Sequence, residues 1–376
     1  MKYNFEKLAT YFKRSGNRYL LIKAIVLVGF LLIAGLDSNA QFAEKFTLNG
    51  YSSFEYEYLL SDEGRSDENG SFDADLIDLV INVDVTSRLR FATDITWEHG
   101  TATEDGLGNA AVEYAFPEYT IRNWLKFRVG KMFVPFGIYN EIHTAKPAFL
   151  AVKEPLSTNK PDKFGGDERF YPRWATGMAL LGNFAINNVQ FEYNVQVSNG
   201  YQENTNPFEE DDNEEKAIAA RLLIQPTTGL KLGISTYNDR LTELDGAGDD
   251  TGERTKLSSF STHAEYNFKD FGLEFEYITG RTDPTTAGEL KKNGFEAMLY
   301  YSLGEKFTPY VRYESLDPDT DVDDDSAKMF SIGLNTEIDK NYFLKLQYNS
   351  ISSGVNNARF GGVDFSEFQA AVVLGF

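Results

Sequence analysis

The sequence predicts an all-β fold, a transmembrane antiparallel β-barrel of sixteen strands, on three observations. Apolar and polar residues alternate with period two through most of the chain after residue 40. The connections between these stretches are alternately short and long. The last stretch alternates to the final residue, with Phe368, Ala370, Val372, Leu374 and Phe376 on one phase. A strand with one apolar and one polar face separates an oily environment from a wet one. Short turns at one end and longer loops at the other are the layout of a barrel that crosses a membrane.

The first forty residues read as an address. Lys2, Lys7, Lys13, Arg14, Arg18 and Lys23 form a basic region, Ala24 to Leu36 an apolar core, and Ser38-Asn39-Ala40 a small-residue cleavage site. This is the order of a secretory signal peptide, and the apolar core is shorter than the roughly 20 residues a helical span needs. The expected division is therefore 1–40 signal peptide and 41–376 barrel, with Gln41 the first mature residue.

The first stave sets Phe46, Leu48, Phe54, Tyr56, Tyr58 and Leu60 against Lys45, Thr47, Asn49, Glu55 and Glu57. Ile77, Leu79, Ile81, Val83 and Val85 follow, opposed by Asp78, Asn82 and Asp84. The fifth stave, Leu125 to Gly137, sets Leu125, Phe127, Val129 and Phe133 against Lys126 and Arg128. In all, strands are expected near residues 52, 80, 94, 115, 130, 178, 193, 220, 234, 262, 275, 297, 311, 332, 346 and 370. Short turns fall at Thr86–Arg88, Arg122–Trp124, Asn183–Asn188, Pro226–Gly229, Lys269–Asp270, Gly304–Glu305 and Ile338–Asn341. Long loops fall at 61–72, 100–109, 138–172, 200–215, 239–255, 281–290, 317–326 and 351–362. Seven short and eight long connections place both termini at the short-turn end. A soluble β-sandwich would show the same alternation; the signal peptide, the loop asymmetry and the terminal strand ending in Phe favour the membrane barrel. Trp97, Trp124 and Trp174 near strand ends suit an aromatic girdle, and a soluble core would also accept them.

Composition excludes several functions. With 36 Lys+Arg against 57 Asp+Glu, the net charge of −21 argues against nucleic acid, which is bound by neutralising phosphates with Lys and Arg. There is no cysteine, so neither disulfides nor thiolate metal sites arise. His99, His143 and His263 form no HExxH pair and no nucleophile constellation, so neither an enzyme nor a cofactor is expected. Gly106-Leu107-Gly108-Asn109-Ala110-Ala111 matches a dinucleotide fingerprint by letters, but follows a polar loop instead of a strand. The Asp317–Asp325 run lacks the Gly and Glu of an EF-hand, having Val322 and Lys328 there, and reads as solvated charge.

Most long loops are acidic, whereas 138–172 is neutral. Its five acids, Glu141, Glu154, Asp162, Asp167 and Glu168, are matched by Lys146, Lys153, Lys160, Lys163 and Arg169. A loop of this length is functional or disordered more often than not, and these cations are its candidates for solute contact. Lys131 falls on the apolar phase of its stave, so it either snorkels toward the rim or is turned inward by a bulge at Gly130.

The chain resembles the phosphate-selective porin O and P family of Gram-negative outer membranes. The resemblance rests on Gly130-Lys131-Met132-Phe133-Val134-Pro135-Phe136-Gly137 before a long third loop, Val197-Ser198-Asn199-Gly200, Arg221-Leu222 with Pro226, Gly229-Leu230-Lys231-Leu232-Gly233, and the terminal Leu374-Gly375-Phe376. It covers essentially the whole mature chain. The resemblance implies a sixteen-stranded barrel, usually a homotrimer in outer-membrane lipid, whose third loop folds into the lumen. It also implies passive passage of small hydrophilic or anionic solutes, with arginines and lysines at the constriction. On the polar wall phase this chain offers Arg90, Lys126, Arg128, Arg221, Lys231, Arg312 and Lys345, among Asp78, Asp84, Asp94, Glu98, Glu274, Glu276, Glu314 and Glu367. This mixture departs from an arginine ladder, and mutual Arg–Glu pairing is an equally good reading of it. A plugged surface barrel acting as an adhesin or scaffold through its acidic loops is the alternative.

Overall fold

A computed structural model describes residues 45–60, 70–98, 109–166, 169–201, 211, 213–245, 250–285 and 287–376. The expected signal peptide, His99, Gly106 to Gly108 and most of the acidic loops 61–72 and 200–215 lie outside the described residues. Two compact units divide the chain, Met1–Thr47 and Leu48–Phe376. Of the first, only the start of β1 and Lys45 before it are described.

Sixteen strands follow in order: β1 Phe46–Leu59, β2 Ser71–Asp84, β3 Leu89–Glu98, β4 Asn109–Arg122, β5 Leu125–Phe133, β6 Trp174–Ile186, β7 Val189–Ser198 and β8 Ala217–Thr227. The second half holds β9 Leu230–Leu244, β10 Asp250–Phe268, β11 Phe271–Asp283, β12 Leu290–Tyr301, β13 Phe307–Asp317, β14 Ala327–Asp339, β15 Tyr342–Ser353 and β16 Phe365–Gly375. Each pairs with its sequence neighbours, and β1 pairs antiparallel with β16 from Tyr51↔Gly375 to Leu59↔Glu367, closing the barrel. Closure removes the unpaired strand edges that a hydrocarbon environment would penalise. No helix among the described residues is long and apolar enough to cross a membrane, which says nothing about crossing by strands.

The alternation of the sequence becomes an inside-out distribution. Ile218, Ile234, Phe260, Leu299 and Ile332 are exposed, whereas Ser235, Ser261, Glu276, Glu314 and Lys345 on the opposite phase are buried. In water the reverse would hold. Small residues on the inward phase accept flat rings from the next strand. Gly333 lies opposite Tyr310 and Gly233 opposite His263; an added Cβ would sit 2.1 Å from Tyr310 Cζ and 2.0 Å from His263 Nε2.

The two-residue turns rest on backbone with positive φ, which twists a hairpin in the hand its strands require. Asn187 has φ 55°, Lys269 φ 54° and Asn341 φ 58°. Three connections are shorter than expected. The expected loop 239–255 shrinks to 245–249, because β9 continues to Leu244 and β10 begins at Asp250. Likewise β11 runs to Asp283, and the six-residue turn expected at 183–188 shortens to two as β6 reaches Ile186. Where a hairpin is mostly polar, period-two hydrophobicity fades although the backbone ladder continues.

Candidate functional site

The 40-residue stretch between β5 and β6, 134–173, departs from the ladder where Pro135 supplies no N–H and Gly137 takes φ 61°. A Cβ at Gly137 would sit 2.2 Å from Glu276 Oε1, so only glycine fits this approach to the wall. The neck is closed by Asn140, whose Nδ2 donates to the carbonyls of Val134 at 2.8 Å and Arg173 at 2.7 Å. Val134 N donates to the same Arg173 carbonyl at 2.9 Å. Beyond the neck the backbone has a one-turn helix, Leu156–Asn159, and short turns at Asn140–Ile142, Lys146–Ala148 and Pro161–Lys163.

Buried irregular backbone needs partners for its polar groups, and here the wall provides them. Lys345 Nζ donates to three carbonyls, of Lys146 at 2.6 Å, Phe149 at 2.5 Å and Ala151 at 3.1 Å. Arg312 Nη1 donates to the Lys153 carbonyl at 2.9 Å and Lys292 Nζ to that of Arg169 at 3.0 Å. In the other direction Ser157 N donates to Glu314 at 2.9 Å, Gly137 N to Ser235 at 3.1 Å, and Tyr139 OH to Glu274 at 2.5 Å. Asn335 Nδ2 reaches the Leu150 carbonyl at 3.2 Å and Ser259 the Phe170 carbonyl. Apolar contacts follow the same path. Val134, Phe136, Phe164, Phe170 and Tyr171 pack with Ala219, Tyr237, Leu257, Ile278, Leu316 and Met329 of the wall.

Charge fixes the opposite side. Lys146 Nζ lies 3.1 Å from Glu55 and 3.0 Å from Asp75. Burial alone would discharge it, yet these two carboxylates outweigh that and hold the ammonium above the ordinary lysine range. Lys153 pairs with Glu57 and approaches Glu55 at 3.7 Å; burial is again overcome, with the same upward direction. Glu154 accepts from Arg173 at 2.9 Å and lies 3.0 Å from Lys160. Burial would raise its carboxyl, but Lys160 and Arg173 hold it well below the usual range. Lys160 itself is lowered, by burial first, with Glu154 opposing. His143 is buried, its Nδ1 2.8 Å from the Asn140 carbonyl and its Nε2 3.5 Å from Glu113. Burial and then Arg173 push it below its ordinary value.

The cations singled out from the sequence therefore fall into four groups, with Lys131 besides. Lys146, Lys153, Arg312 and Lys345 are engaged in holding the 134–173 connection to the wall. Arg90, Lys126 and Arg128 converge on Glu118, at 3.3, 3.7 and 2.5 Å. Arg221 pairs with Glu141 and reaches the Gly137 carbonyl at 3.4 Å, and Lys231 pairs with Glu265 at 3.0 Å. Lys160, Lys163 and Arg169 line an opening, Arg169 lying 3.5 Å from Asp162 and Lys163 being exposed. Lys131 stands apart. Neither pairing of β5 shifts register at Gly130, so no bulge turns it inward; its Nζ lies 4.9 Å from the Trp174 ring. Gly130 instead has φ 129° and brings the strand against the Ala115 carbonyl, 2.4 Å from where a Cβ would be. Trp174 is half-buried beside His143, and Trp124 is exposed in the β4–β5 turn.

Sequence reading missed Asp75, Arg173 and Lys292. Lys292 shares a phase with Gly294 and Glu296 and could have been found by extending β12's polar face. Asp75 precedes the alternation of β2, so no periodic signal marked it.

At the long-connection end these groups surround a cavity of about 590 Å³. The 134–173 connection contributes Lys160, Lys163, Arg169 and Arg173 to its lining. Four neighbouring strands, β16, β1, β2 and β3, contribute Glu367, Glu57, Asp73, Asp75 and Glu98. Among the described residues no group of three or more His, Asp or Glu is placed to hold a metal ion.

No family model matches the chain, and no curated protein matches its sequence. Solved structures do. An anion-selective porin from Comamonas acidovorans is similar with a TM-score of 0.62 at 12% identity, covering 88% of this chain and 99% of that one. Salmonella typhi OmpF, solved with daunomycin, gives 0.62 at 13% identity, covering 88% and 97%. The outer membrane channel DcaP of Acinetobacter baumannii gives 0.58 at 12% identity, covering 88% and 97%. The likeness is one of fold: a closed sixteen-stranded barrel of the kind found among outer-membrane porins and channels.

Proposed function

We propose that this chain is an outer-membrane porin through which small hydrophilic solutes diffuse passively, with the 134–173 connection folded into the lumen as its constriction. The observation that carries this reading is that the connection bonds to side chains of β1 and β2 and to inward-phase groups of every strand from β8 to β15. Only a segment crossing the interior meets partners all round a ring. The inside-out wall supports a surrounding of outer-membrane lipid, and export through a cleaved 1–40 signal peptide belongs to the same reading. A homotrimer is part of it too, by likeness to the trimer form of Vibrio cholerae OmpT, with a TM-score of 0.54.

Selectivity depends on the side chains at the narrowest point. Lysines and arginines of the connection face the carboxylates of β16, β1, β2 and β3 across the opening, and such a field favours polar over apolar solutes. Lys160, Lys163 and Arg169 give a weak preference for anions. Tight, phosphate-specific binding is less favoured, because most other candidate cations are engaged in ion pairs or backbone contacts. The chain is a conduit and not an enzyme, and the structures to which it is similar give no support to the adhesin alternative. Reconstitution in planar bilayers tests this reading. Stepwise conductance is expected, with a reversal potential displaced modestly toward the anion side under a potassium chloride gradient. A purified barrel that conducts nothing would sink it.

A further inference from the structure

The outward face carries a feature that conduction does not use. At the long-connection ends of β9 to β12, Arg240 and Lys256 form one exposed pair, and Arg281 and Lys291, two residues lower in the register, form a second. Arg240 is directly opposite Lys256, and Arg281 directly opposite Lys291. Beneath them on the same outward phase lie Asn238, Ser258, Thr279 and Asn293, and beneath these Phe260, Tyr277 and Phe295. Such a gradient from aromatic to hydroxyl and amide to cation is that of a membrane–water boundary.

Like charges directly opposite on paired strands are destabilising, unless an anion joins them. Arg281 and Lys291 share Glu289, the latter at 3.2 Å. Arg240 and Lys256 have no carboxylate within ion-pair distance among the described residues. Asp239, next to Arg240, points the other way and accepts from Tyr237 OH at 2.7 Å and Tyr201 N at 2.7 Å. Asp283, opposite Lys256 on the other side, forms no ion pair with it. Glu215 is turned to Arg254, at 3.4 Å. A cavity of about 510 Å³ opens at this point, lined by Lys216, Arg240, Lys256, Arg281, Asn238 and Ser258 together with the carboxylates Glu215, Asp239 and Asp283. Two cation pairs above an apolar belt, in a chain of net charge −21, have the complementarity of an anionic headgroup whose acyl chains lie along the wall.

We propose that this patch binds the phosphate of an anionic lipid in the outer leaflet, with Arg240 and Lys256 as its two ligands and Asn238 and Ser258 as donors below them. It rests on the reading of the barrel as membrane-embedded with its long connections outermost.

Native mass spectrometry of the purified barrel in detergent tests it, with bis-phosphorylated lipid A as probe. Phosphorylated lipid A is expected to remain bound, and lipid A stripped of both phosphates to be lost. The Arg240→Gln/Lys256→Gln variant should retain about tenfold less, whereas Lys269→Gln at the opposite end should match the parent. Equal retention of the dephosphorylated lipid, or an unchanged double variant, would overturn the proposal. So would complete displacement by millimolar sodium phosphate, which would mark a small-anion site. A double variant that alters oligomer masses while lipid retention stays constant would also overturn it, assigning the patch to contact between copies. Binding in detergent is read independently of conduction. Labelling of Thr251→Cys from outside intact cells checks the orientation: labelling is expected, and its absence would overturn the outer-leaflet assignment.

Discussion

The 134–173 connection and the 318–326 connection are both rich in charge, and they use it in opposite ways. In 318–326 the carboxylates serve nearby backbone. Asp321 N donates to Asp319 Oδ1 at 3.1 Å and Asp319 N to Asp325 Oδ2 at 3.1 Å, and Val322 N closes on the Asp319 carbonyl at 2.9 Å. Its remaining bonds go to neighbours, such as Asn357 Nδ2 to the Asp325 carbonyl at 2.7 Å. In 134–173 the bonds reach far along the chain, with Lys146 on Glu55 and Asp75 at one side and Lys345 on three carbonyls at the other. A surface loop spends charge on its own turns, whereas an enclosed segment must match every charge and carbonyl against the wall around it. The same residue types therefore carry different energies in the two places.

Several substitutions can break that contrast. The largest effect is expected from Lys146→Met, which leaves Glu55 and Asp75 buried together with only Lys153, 3.7 Å from Glu55, as a nearby cation. Removing one partner of a buried ion pair costs about 3 to 5 kcal/mol, so a clearly lowered midpoint in denaturant is expected, partly restored by adding Glu55→Gln. A midpoint equal to that of the parent would mean that the pair is solvated and the contrast false. Lys345→Met comes next. It strips the donor from three buried carbonyls, at about 1 to 3 kcal/mol for an unsatisfied group, and should expose 146–151 to hydrogen exchange while the strands stay protected. Uniform exchange across the barrel would instead mean that Lys345 supports the wall alone.

Acid provides a graded test. Burial holds His143 below its ordinary value of 6.5, so the folded protein binds fewer protons there than the unfolded chain. The stability this confers is present above pH 6.5 and declines as pH falls below it. Lys146, raised, contributes below its ordinary 10.5 and loses this only in strong alkali. Glu154, lowered, contributes above its ordinary 4.5 and loses this only in strong acid. Open-channel current noise should therefore rise between pH 6.5 and 5; noise that stays flat over that range would contradict the assignment. The smallest effect is expected from Asp321→Ser in the surface loop, within about 0.5 kcal/mol by thermal melting. A loss as large as that of Lys146→Met would erase the distinction between the two connections.

Much of the fold was legible because the barrel wall separates an apolar outer face from a polar inner one at every residue. The phase of Phe127 and Val129 against Lys126 and Arg128 is that division written along one strand, and all sixteen expected centres fall within strands. Legibility failed where the division fails. The β9–β10 hairpin beyond Asp239 is mostly polar, with Leu241 packed against the buried apolar cluster, so its ladder continues with little periodic signal. The site was less readable still. Lys146, Lys153, Lys160, Lys163 and Arg169 stood out as cations of one loop, but pairing depends on which wall residue each meets. Lys146 is 91 positions from Glu55 and Lys345 is 199 from Lys146, and no local pattern in one sequence encodes contacts at that range. Arg173, beside the β6 boundary, is separated from its partner Glu154 by an excursion whose path the sequence does not spell out.

The central claim is that the 134–173 connection occupies the lumen and limits passage. Replacing residues 141–168 with a short Gly-Ser link, which spares the Asn140 neck and Arg173, removes the segment while leaving the sixteen-stranded ladder. Single-channel conductance of this variant in planar bilayers should rise several-fold over the parent, and its anion preference should fall with the loss of Lys160 and Lys163. A folded, heat-modifiable barrel whose conductance equals that of the parent would contradict the account.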